Sequence, residues 1–201
     1  MSALVLLSGG MDSALALHWA LARHDRVAAL SIDYGQRHSV ELVAARKIAT
    51  HATQIADNFT GLTEIKIEIP WQSSSLTGGG DSPVIPGRNS ILVALAAAEA
   101  QAHGLDVVVI ACVLDDAGTF PDCRQFFLAT LHKATQLATG VSVDAPFAGM
   151  TKRQCLAEAS AAAMEAAMLS WSCYAPQWAG ARAPIPCREC GACLARERAF
   201  A

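Results

Sequence analysis

Charge is scarce in this chain of 201 residues, and neither sign predominates. Asp, Glu, Lys and Arg make up 16% of the sequence, and the formal net charge is -3 at pH 7. A broad nucleic-acid-binding face needs an excess of basic residues, so we expect no nucleic-acid partner. Near the C-terminus arginines gather but are diluted by two glutamates, so we expect a solvated face formed by Arg182, Arg188, Arg196 and Arg198.

The sequence also lacks the segments that mark membrane or secreted proteins. No apolar run approaches the length of a membrane span, and no basic region opens the N-terminus. The seven cysteines are an odd number, and three of them crowd into a metal-type spacing. We therefore expect a cytoplasmic protein that holds a metal ion, with no membrane partner, rather than a disulfide-linked domain.

Short apolar segments alternate with longer amphipathic ones along the chain. The expected strands are 4–7, 27–32, 64–69, 106–111 and 141–143. The expected helices are 14–21, 39–54, 90–103, 124–139 and 151–168. This alternation predicts an α/β fold, a parallel sheet flanked by helices, with ligands beyond the carboxyl ends of the strands. The long connection 72–87, rich in Gly, Ser and Pro, is predicted to be an active-site loop.

The first strand runs directly into two glycines, which Asp12 and Ser13 follow. Glycines let the backbone approach an anion closely, and free N–H groups at a helix N-terminus attract negative charge. No Lys-Ser/Thr pair follows, which excludes a Walker A loop, and no GxGxxG is present. A Gly-rich turn capped by Asp12 or Ser13 is the alternative. The predicted phosphate-binding residues are Leu7, Ser8, Gly9, Gly10, Met11, Asp12 and Ser13.

Four cysteines near the C-terminus form the second constellation. Cys173 is followed by Cys187, Cys190 and Cys193, which make two CxxC steps. Four thiolates in this spacing predict a tetrahedral zinc site, and because the protein fills every position the metal would be structural. An iron–sulfur cluster is the competing interpretation, but the further CxxxCP step of ferredoxins is missing.

The SGGMDS sequence at 8–13 resembles the pyrophosphate loop of the PP-loop superfamily, whose fold is adenine nucleotide alpha hydrolase-like. The ordered segments DYGQRH, PGRN, PDCR and WSCY, together with the cysteines, resemble the 7-cyano-7-deazaguanine synthase (QueC) family over residues 4–200. The resemblance implies a nucleotide-binding domain at 1–170 and a zinc-bound segment at 171–201 packed on it. We also expect a homodimer.

Membership in that family would imply an ATP-dependent ligase of queuosine biosynthesis. Its small-molecule substrates would be 7-carboxy-7-deazaguanine and ammonia, and its product the nitrile, formed through an adenylate and an amide. ATP, Mg²⁺ and Zn²⁺ are the expected cofactors. Transfer of AMP makes the carboxylate oxygen a good leaving group, so positioning and charge stabilisation would carry most of the catalysis.

The resemblance assigns catalysis to Asp12, Arg88 and Lys152. Asp12 would assist through magnesium, which prefers carboxylate and phosphate oxygens. Arg88 begins a helix beside Gly87, where a cation opposes the helix dipole and an anionic partner is therefore expected. For Lys152 a phosphate contact and a role on the surface are both open.

Four more positions complete the implied pocket. Arg37 would contact the nucleotide, while His38, Asp122 and Cys123 would contact the substrate together with Arg88. The carboxylate of Asp122 suits the N–H edge of a guanine-like base. The alternatives are that His38 caps the helix that follows it and that Asp122 is a turn or N-cap residue.

One segment departs from the family pattern. Residues 115–120 read DDAGTF where the family commonly has the aromatic-rich DYSGY. A QueC-like ligase that stops at the amide, or that joins the deazapurine acid to another amine, is therefore an alternative. A PP-loop enzyme that modifies RNA would need a basic surface, and a non-catalytic zinc module would not need the intact loop at 8–13.

Overall fold

The computed structural model describes residues 1–36, 39–68, 74, 76–77, 82–177 and 184–201. Strands in this part of the chain form one parallel sheet in the order β3-β2-β1-β4-β5. Their bounds are β1 Ser2–Leu6, β2 Arg26–Asp33, β3 Phe59–Lys66, β4 Val107–Val109 and β5 Ser142–Asp144. The predicted parallel sheet is confirmed.

Helices cover both faces of this sheet. They are α1 Met11–Leu21, α2 Ser39–Ile55, α3 Arg88–Ala102, α4 Gln125–Thr139, α5 Lys152–Ala157, α6 Ala161–Leu169 and α7 Gly191–Phe200. Successive strand side chains point to opposite faces, so each strand feeds both layers. Val5 packs in the core beneath α1, α2 and α6, whereas Leu4 packs beneath α3.

The strand order reverses at β1, which pairs with β2 on one side and β4 on the other. Val5, for example, lies beside Ala29 of β2 and Val109 of β4. Chain connections leave the carboxyl ends of β1 and β4 in opposite directions, which opens a crevice between them. The phosphate-binding segment predicted after the first strand therefore enters that crevice.

Two predicted elements differ from the structure. The helix expected at 151–168 is split into α5 and α6, because Ser160 Oγ accepts a hydrogen bond from the Ala163 N–H (3.2 Å) and begins a new helix. The strand expected at 64–69 instead runs from Phe59 to Lys66. Gly61 has a φ of 126°, and the pairing register shifts beside it, so the alternating pattern breaks early in this strand.

The sequence analysis did not predict α7, and α7 packs against α5. In the described part of the chain, no helix has both the length and the apolar character required to cross a membrane.

Candidate functional site

A cavity of about 690 Å³ opens beyond the carboxyl ends of β1, β2 and β4. Residues from the loop after β1, the first turns of α1, α3 and α5, and one side of α7 form its walls. Leu76 and Pro83 of the predicted active-site loop also line it, although much of that loop lies outside the described residues. The predicted site residues that line the cavity are Leu7, Ser8, Gly10, Met11, Asp12, Ser13, Arg88 and Lys152.

Gly9 lets the loop after β1 pack closely against α2. Its φ of 93° is a conformation that side chains disfavour, and a Cβ there would lie 2.0 Å from the carbonyl oxygen of Glu41. The carbonyl oxygen of Gly9 accepts a hydrogen bond from the Trp171 N–H (2.9 Å). The loop is thus fixed between α2 and the segment that leads to the cysteines.

The hydroxyl groups of the loop bond within it and do not cap α1. Ser8 Oγ accepts from the Gly10 N–H (3.2 Å), and Ser13 Oγ donates to the Gly10 carbonyl oxygen (2.9 Å). Within the described residues no side chain makes the N-cap hydrogen bond of α1. The N-terminus of α1 therefore presents backbone N–H groups to the cavity, where an anion would bind.

Lys152 joins the loop to two aspartates that precede it in sequence. Its Nζ donates to Asp12 Oδ2 (2.6 Å) and to Asp116 Oδ2 (3.2 Å), and its backbone N–H donates to Asp115 Oδ2 (2.6 Å). Burial disfavours the ammonium ion, but Asp12 and Asp116 outweigh burial and raise the pKa of Lys152. Burial in turn raises the pKa of Asp12, against the opposing effect of Lys152. Asp12 Oδ1 is buried and has no hydrogen-bond partner among the described residues.

Arg88 lies on the opposite wall, at the first position of α3. It follows Gly87, whose φ is 68°, and its Nη1 donates to the hydroxyl of Tyr34 (3.3 Å). Its guanidinium also lies 5.9 Å from the centre of the Phe120 ring. Glu41 faces the same side, and burial raises its pKa to about 7 although Arg88 opposes the shift.

Asp122 and Cys123 lie behind this wall and outside the lining of the cavity. Asp122 Oδ2 accepts from the backbone N–H of Asn89 (3.0 Å), and the Asn89 amide donates to the carbonyl oxygen of Asp122 (3.0 Å). The same amide lies 3.5 Å from Cys123 Sγ. These contacts hold the start of α3. Asp122 itself lies in the 3-10 turn Pro121–Cys123, and among the described residues no side chain caps α4, the helix that follows it. Gly9 likewise lies behind the cavity wall, and Arg37 and His38 lie outside the described residues.

The four C-terminal cysteines come together as the spacing predicts. The Sγ atoms of Cys173, Cys187, Cys190 and Cys193 all lie within 4.8 Å of one another, and those of Cys173 and Cys187 are 3.5 Å apart. Backbone N–H groups of Glu189 and Cys190 lower the pKa of Cys187 to about 6. This donor set fits a metal ion that prefers thiolates.

Helix α7 begins directly after Cys190 and carries Arg196 into the wall of the cavity. Arg196 Nη1 donates to Ser170 Oγ (2.6 Å), and its Nη2 donates to the Ala167 carbonyl oxygen (2.9 Å). The expectation of a solvated face was wrong for Arg196. Its guanidinium is partly buried, because α7 places it against Ala167 and Ser170 at the end of α6. Arg198 also lines the cavity, and Arg182 lies outside the described residues.

Comparison with known proteins identifies the family of the chain. The family model described as "Queuosine biosynthesis protein QueC" matches residues 2–201. The chain belongs to the QueC family. This QueC-family chain is 37% identical to "7-cyano-7-deazaguanine synthase 1" of Sphingopyxis alaskensis, over 98% of the chain and 92% of that protein. It is 36% identical to the 7-cyano-7-deazaguanine synthases of Laribacter hongkongensis and Archaeoglobus fulgidus, of which the alignments cover 90% and 86%.

Among solved structures, the fold is similar to that of the U34-tRNA thiolase NcsA from Methanococcus maripaludis, which was determined with its [4Fe-4S] cluster. The TM-score is 0.54 at 15% sequence identity, and the match covers all of this chain and 63% of NcsA. At this identity the similarity establishes a shared fold alone.

Several residues that line the cavity were not assigned to a site from the sequence. Tyr34 belongs to the DYGQRH segment, and its hydroxyl is the partner of Arg88. Glu41 lies in the first turn of α2, where an acidic residue is also expected simply because it stabilises the helix dipole. Asp116 and Arg196 carry no motif signal, because their partners lie far away in the chain.

Proposed function

We propose that the chain catalyses ATP-dependent conversion of 7-carboxy-7-deazaguanine and ammonia to 7-cyano-7-deazaguanine. The observation that carries the proposal is the cavity in which the N-terminus of α1, Lys152 and Arg88 face one another. Family membership and the names of the relatives supply the substrate class. An anion-binding helix terminus beside two cations is what transfer of an adenylate group requires.

In the first step a carboxylate oxygen of the substrate attacks the α-phosphorus of ATP. The bond between that phosphorus and the bridging oxygen breaks, and pyrophosphate leaves with the electron pair. The N–H groups at the start of α1, near Gly10 and Met11, would hold the departing pyrophosphate. Lys152 and Arg88 would stabilise the charge that develops, Lys152 as a point charge and Arg88 as a planar fork. Arg37 is a further proposed nucleotide contact.

Asp12 and Asp116 fit a magnesium ion bound together with the nucleotide. Asp12 Oδ1 is the buried oxygen without a partner, and such an atom is stabilised when it binds a cation. When bound, magnesium would neutralise phosphate charge. Asp12 also orients Lys152 through its other oxygen.

In the second step ammonia attacks the carbonyl carbon of the acyl adenylate and AMP leaves, which gives the amide. A second ATP would activate the amide oxygen with release of pyrophosphate, and loss of AMP and of both N–H protons would give the nitrile. We propose that the substrate ring packs against the wall that Arg88 and Phe120 form together. His38 stays a proposed substrate contact. Asp122 and Cys123 would act from behind this wall, by holding Asn89 and the start of α3 in position.

The four cysteines are proposed to bind one zinc ion. Thiolates about 2.3 Å from a single ion must lie close together, as these do. The thiolates of a four-iron cluster each bind a different iron atom and lie farther apart. Zinc would join Cys173 to the start of α7, and Arg196 of α7 then bonds Ser170 and Ala167 at the end of residues 1–170.

The test is incubation of the purified chain with 7-carboxy-7-deazaguanine, magnesium, ammonium and ATP labelled in the phosphates. AMP and pyrophosphate are the expected nucleotide products, and exclusive formation of ADP would contradict adenylation. Mass spectrometry of the deazapurine over time then identifies the end point. Phe120 offers no hydroxyl group at the wall where the family commonly has a tyrosine, so a product that stays at the amide would support the shorter reaction.

A further inference from the structure

We propose that Glu41 is the general base that removes a proton from the ammonia nitrogen as the amide forms. This role rests on the proposed function, because it assigns one proton transfer within that reaction. It adds a catalytic residue on the wall that Arg88 and Tyr34 share.

The backbone of α2 sets the position of Glu41. The carbonyl oxygen of Glu41 lies against Gly9, so closely that a Cβ on Gly9 would lie 2.0 Å from it. The side chain of Glu41 lines the cavity from the first turn of α2. Movement of this residue would therefore disturb the loop after β1, so the backbone from which the Glu41 side chain reaches the cavity is fixed.

The other carboxyl groups that line the cavity are already engaged. Asp12 and Asp116 accept from Lys152 Nζ, and Asp115 accepts from the backbone N–H of Lys152. A carboxylate that neutralises an ammonium group is a weak base, because protonation would break the ion pair. Of the carboxyl groups that line the described part of the cavity, Glu41 is the one outside this network.

The surroundings of Glu41 suit proton transfer near neutral pH. Arg88 from the start of α3, Tyr34 from the end of β2 and Tyr174 beside the cysteines are the titratable groups whose charges interact with it. Burial raises the pKa of Tyr174 to about 12, so that phenol stays neutral. With a pKa of about 7, a carboxylate is a far stronger base than an exposed one, and a substantial fraction of it is ionised near neutral pH.

The step balances without a further reactant. The lone pair of ammonia forms the C–N bond at the carbonyl carbon of the acyl adenylate, and the oxyanion forms. One N–H proton passes from the positively charged nitrogen to a carboxylate oxygen of Glu41. The oxyanion then reforms the carbonyl group, the C–O bond to AMP breaks, and AMP leaves with the electron pair.

The experiment compares two partial reactions of Glu41→Gln, which keeps the shape and removes the base. Exchange of labelled pyrophosphate into ATP, in the presence of 7-carboxy-7-deazaguanine and without ammonium, reports the adenylate alone and should stay within about threefold of the wild type. Amide formation at constant free ammonia should fall about 100-fold or more, since general base catalysis contributes about 10²–10⁴. The wild-type rate should rise with pH through about 7, and this rise should be absent from the variant.

Two comparisons sharpen the result. Glu64→Gln on β3 removes a carboxylate that pairs with Arg46 at the surface, and both partial reactions should match the wild type. Hydroxylamine is unprotonated at neutral pH and needs less help from a base, so it should restore most of the acyl transfer in Glu41→Gln. If Glu41→Gln unfolds, Glu41→Asp should keep the pH dependence at a reduced rate.

Three outcomes separate the hypotheses. Amide formation in Glu41→Gln at the wild-type rate, with an unchanged pH profile, would overturn the role of Glu41. Equal losses in exchange and amide formation would also overturn it, because Glu41 would then serve adenylation. Absence of both reactions in the wild-type protein would instead contradict the proposed function itself.

Discussion

Lys152 Nζ lies 2.6 Å from Asp12 Oδ2, which joins the first turns of α5 and α1 over a separation of 140 residues. The side chains are 13% and 19% exposed, so the pair is largely withdrawn from water. Because Asp12 lies in the first turn of α1, the ion pair places the Lys152 ammonium group beside the uncapped N-terminus where an anion would bind. The contact therefore links the loop after β1 to a helix that lies far from it in the sequence.

We expect Lys152→Met and Asp12→Asn each to reduce pyrophosphate release by about 100-fold or more, the usual cost of losing a preorganised electrostatic group. Because the two residues act as a unit, the double variant should lose little more than either single variant. The rate of pyrophosphate release by the wild type, the two single variants and the double variant gives the coupling energy between Lys152 and Asp12. Lys133→Met on the exposed face of α4 is the matched control, and independent, multiplying losses would show that the ion pair has no joint role.

The position of the loop after β1 in the cavity wall and the clustering of the cysteines were predictable, because most residues of each group lie close together in the sequence. Residues 8–13 carry the whole loop geometry, and three of the four cysteines lie within seven residues. The sheet was also predictable, since buried parallel strands appear as continuous apolar runs such as that of β4.

The partners of Arg88 and Lys152 were not predictable in the same way. Asp116 lies 36 residues before Lys152, and Tyr34 lies 54 residues before Arg88. The secondary-structure propensity of neighbouring residues does not predict such pairs. They form only because the strand order brings the loops that carry them to the same edge of the sheet. For Asp122 the residue type suggests a substrate contact. In the structure, one oxygen of its carboxylate instead accepts a hydrogen bond from the backbone N–H of Asn89.

Gly9→Ala should destabilise the fold and abolish nucleotide binding. The new methyl group would meet the Glu41 carbonyl oxygen at 2.0 Å, and alanine disfavours the φ of 93°. Strain and overpacking together should cost about 2–5 kcal/mol of unfolding free energy. Urea titration measures this cost, and Gly118→Ala, where a Cβ meets nothing within 4 Å, should stay close to the wild type. Equal midpoints for the two variants would show that α2 does not pack on the loop as described.

Cys190→Ser should remove the bound metal and lower the thermal unfolding temperature, because metal binding of this kind is coupled to folding. The effect should extend to the cavity, since Cys190 immediately precedes α7, which carries Arg196. Elemental analysis should find one zinc per wild-type chain and less than that in the variant. Cys155→Ser changes a buried thiol outside the cluster and should keep the full zinc content. Iron with sulfide in the wild-type protein would contradict the assignment.

His18 should make the fold sensitive to mild acid. It is buried in α1, its ring centre lies 5.5 Å from that of His51, and its Nε2 has no hydrogen-bond partner among the described residues. Burial and, to a smaller extent, His51 lower the pKa of His18 from 6.5 to about 4, although Glu165, which bonds His51, opposes the shift. Between these two pH values the unfolded chain binds the proton and the folded chain does not. Stability is therefore lost as the pH falls through about 6.5, and the loss is complete near pH 4.

At pH 5 this imbalance corresponds to a loss of about 1–2 kcal/mol relative to pH 7.5. Urea unfolding of the wild type and of His18→Leu at the two pH values measures it as the difference between their changes in stability. His18→Leu removes the titrating group and keeps an apolar side chain in the core, so its stability should fall less on acidification. His103→Gln, at an exposed position after α3, is the control for loss of a histidine as such. Parallel losses in the wild type and in His18→Leu would mean that His18 is already protonated in the folded protein at pH 5.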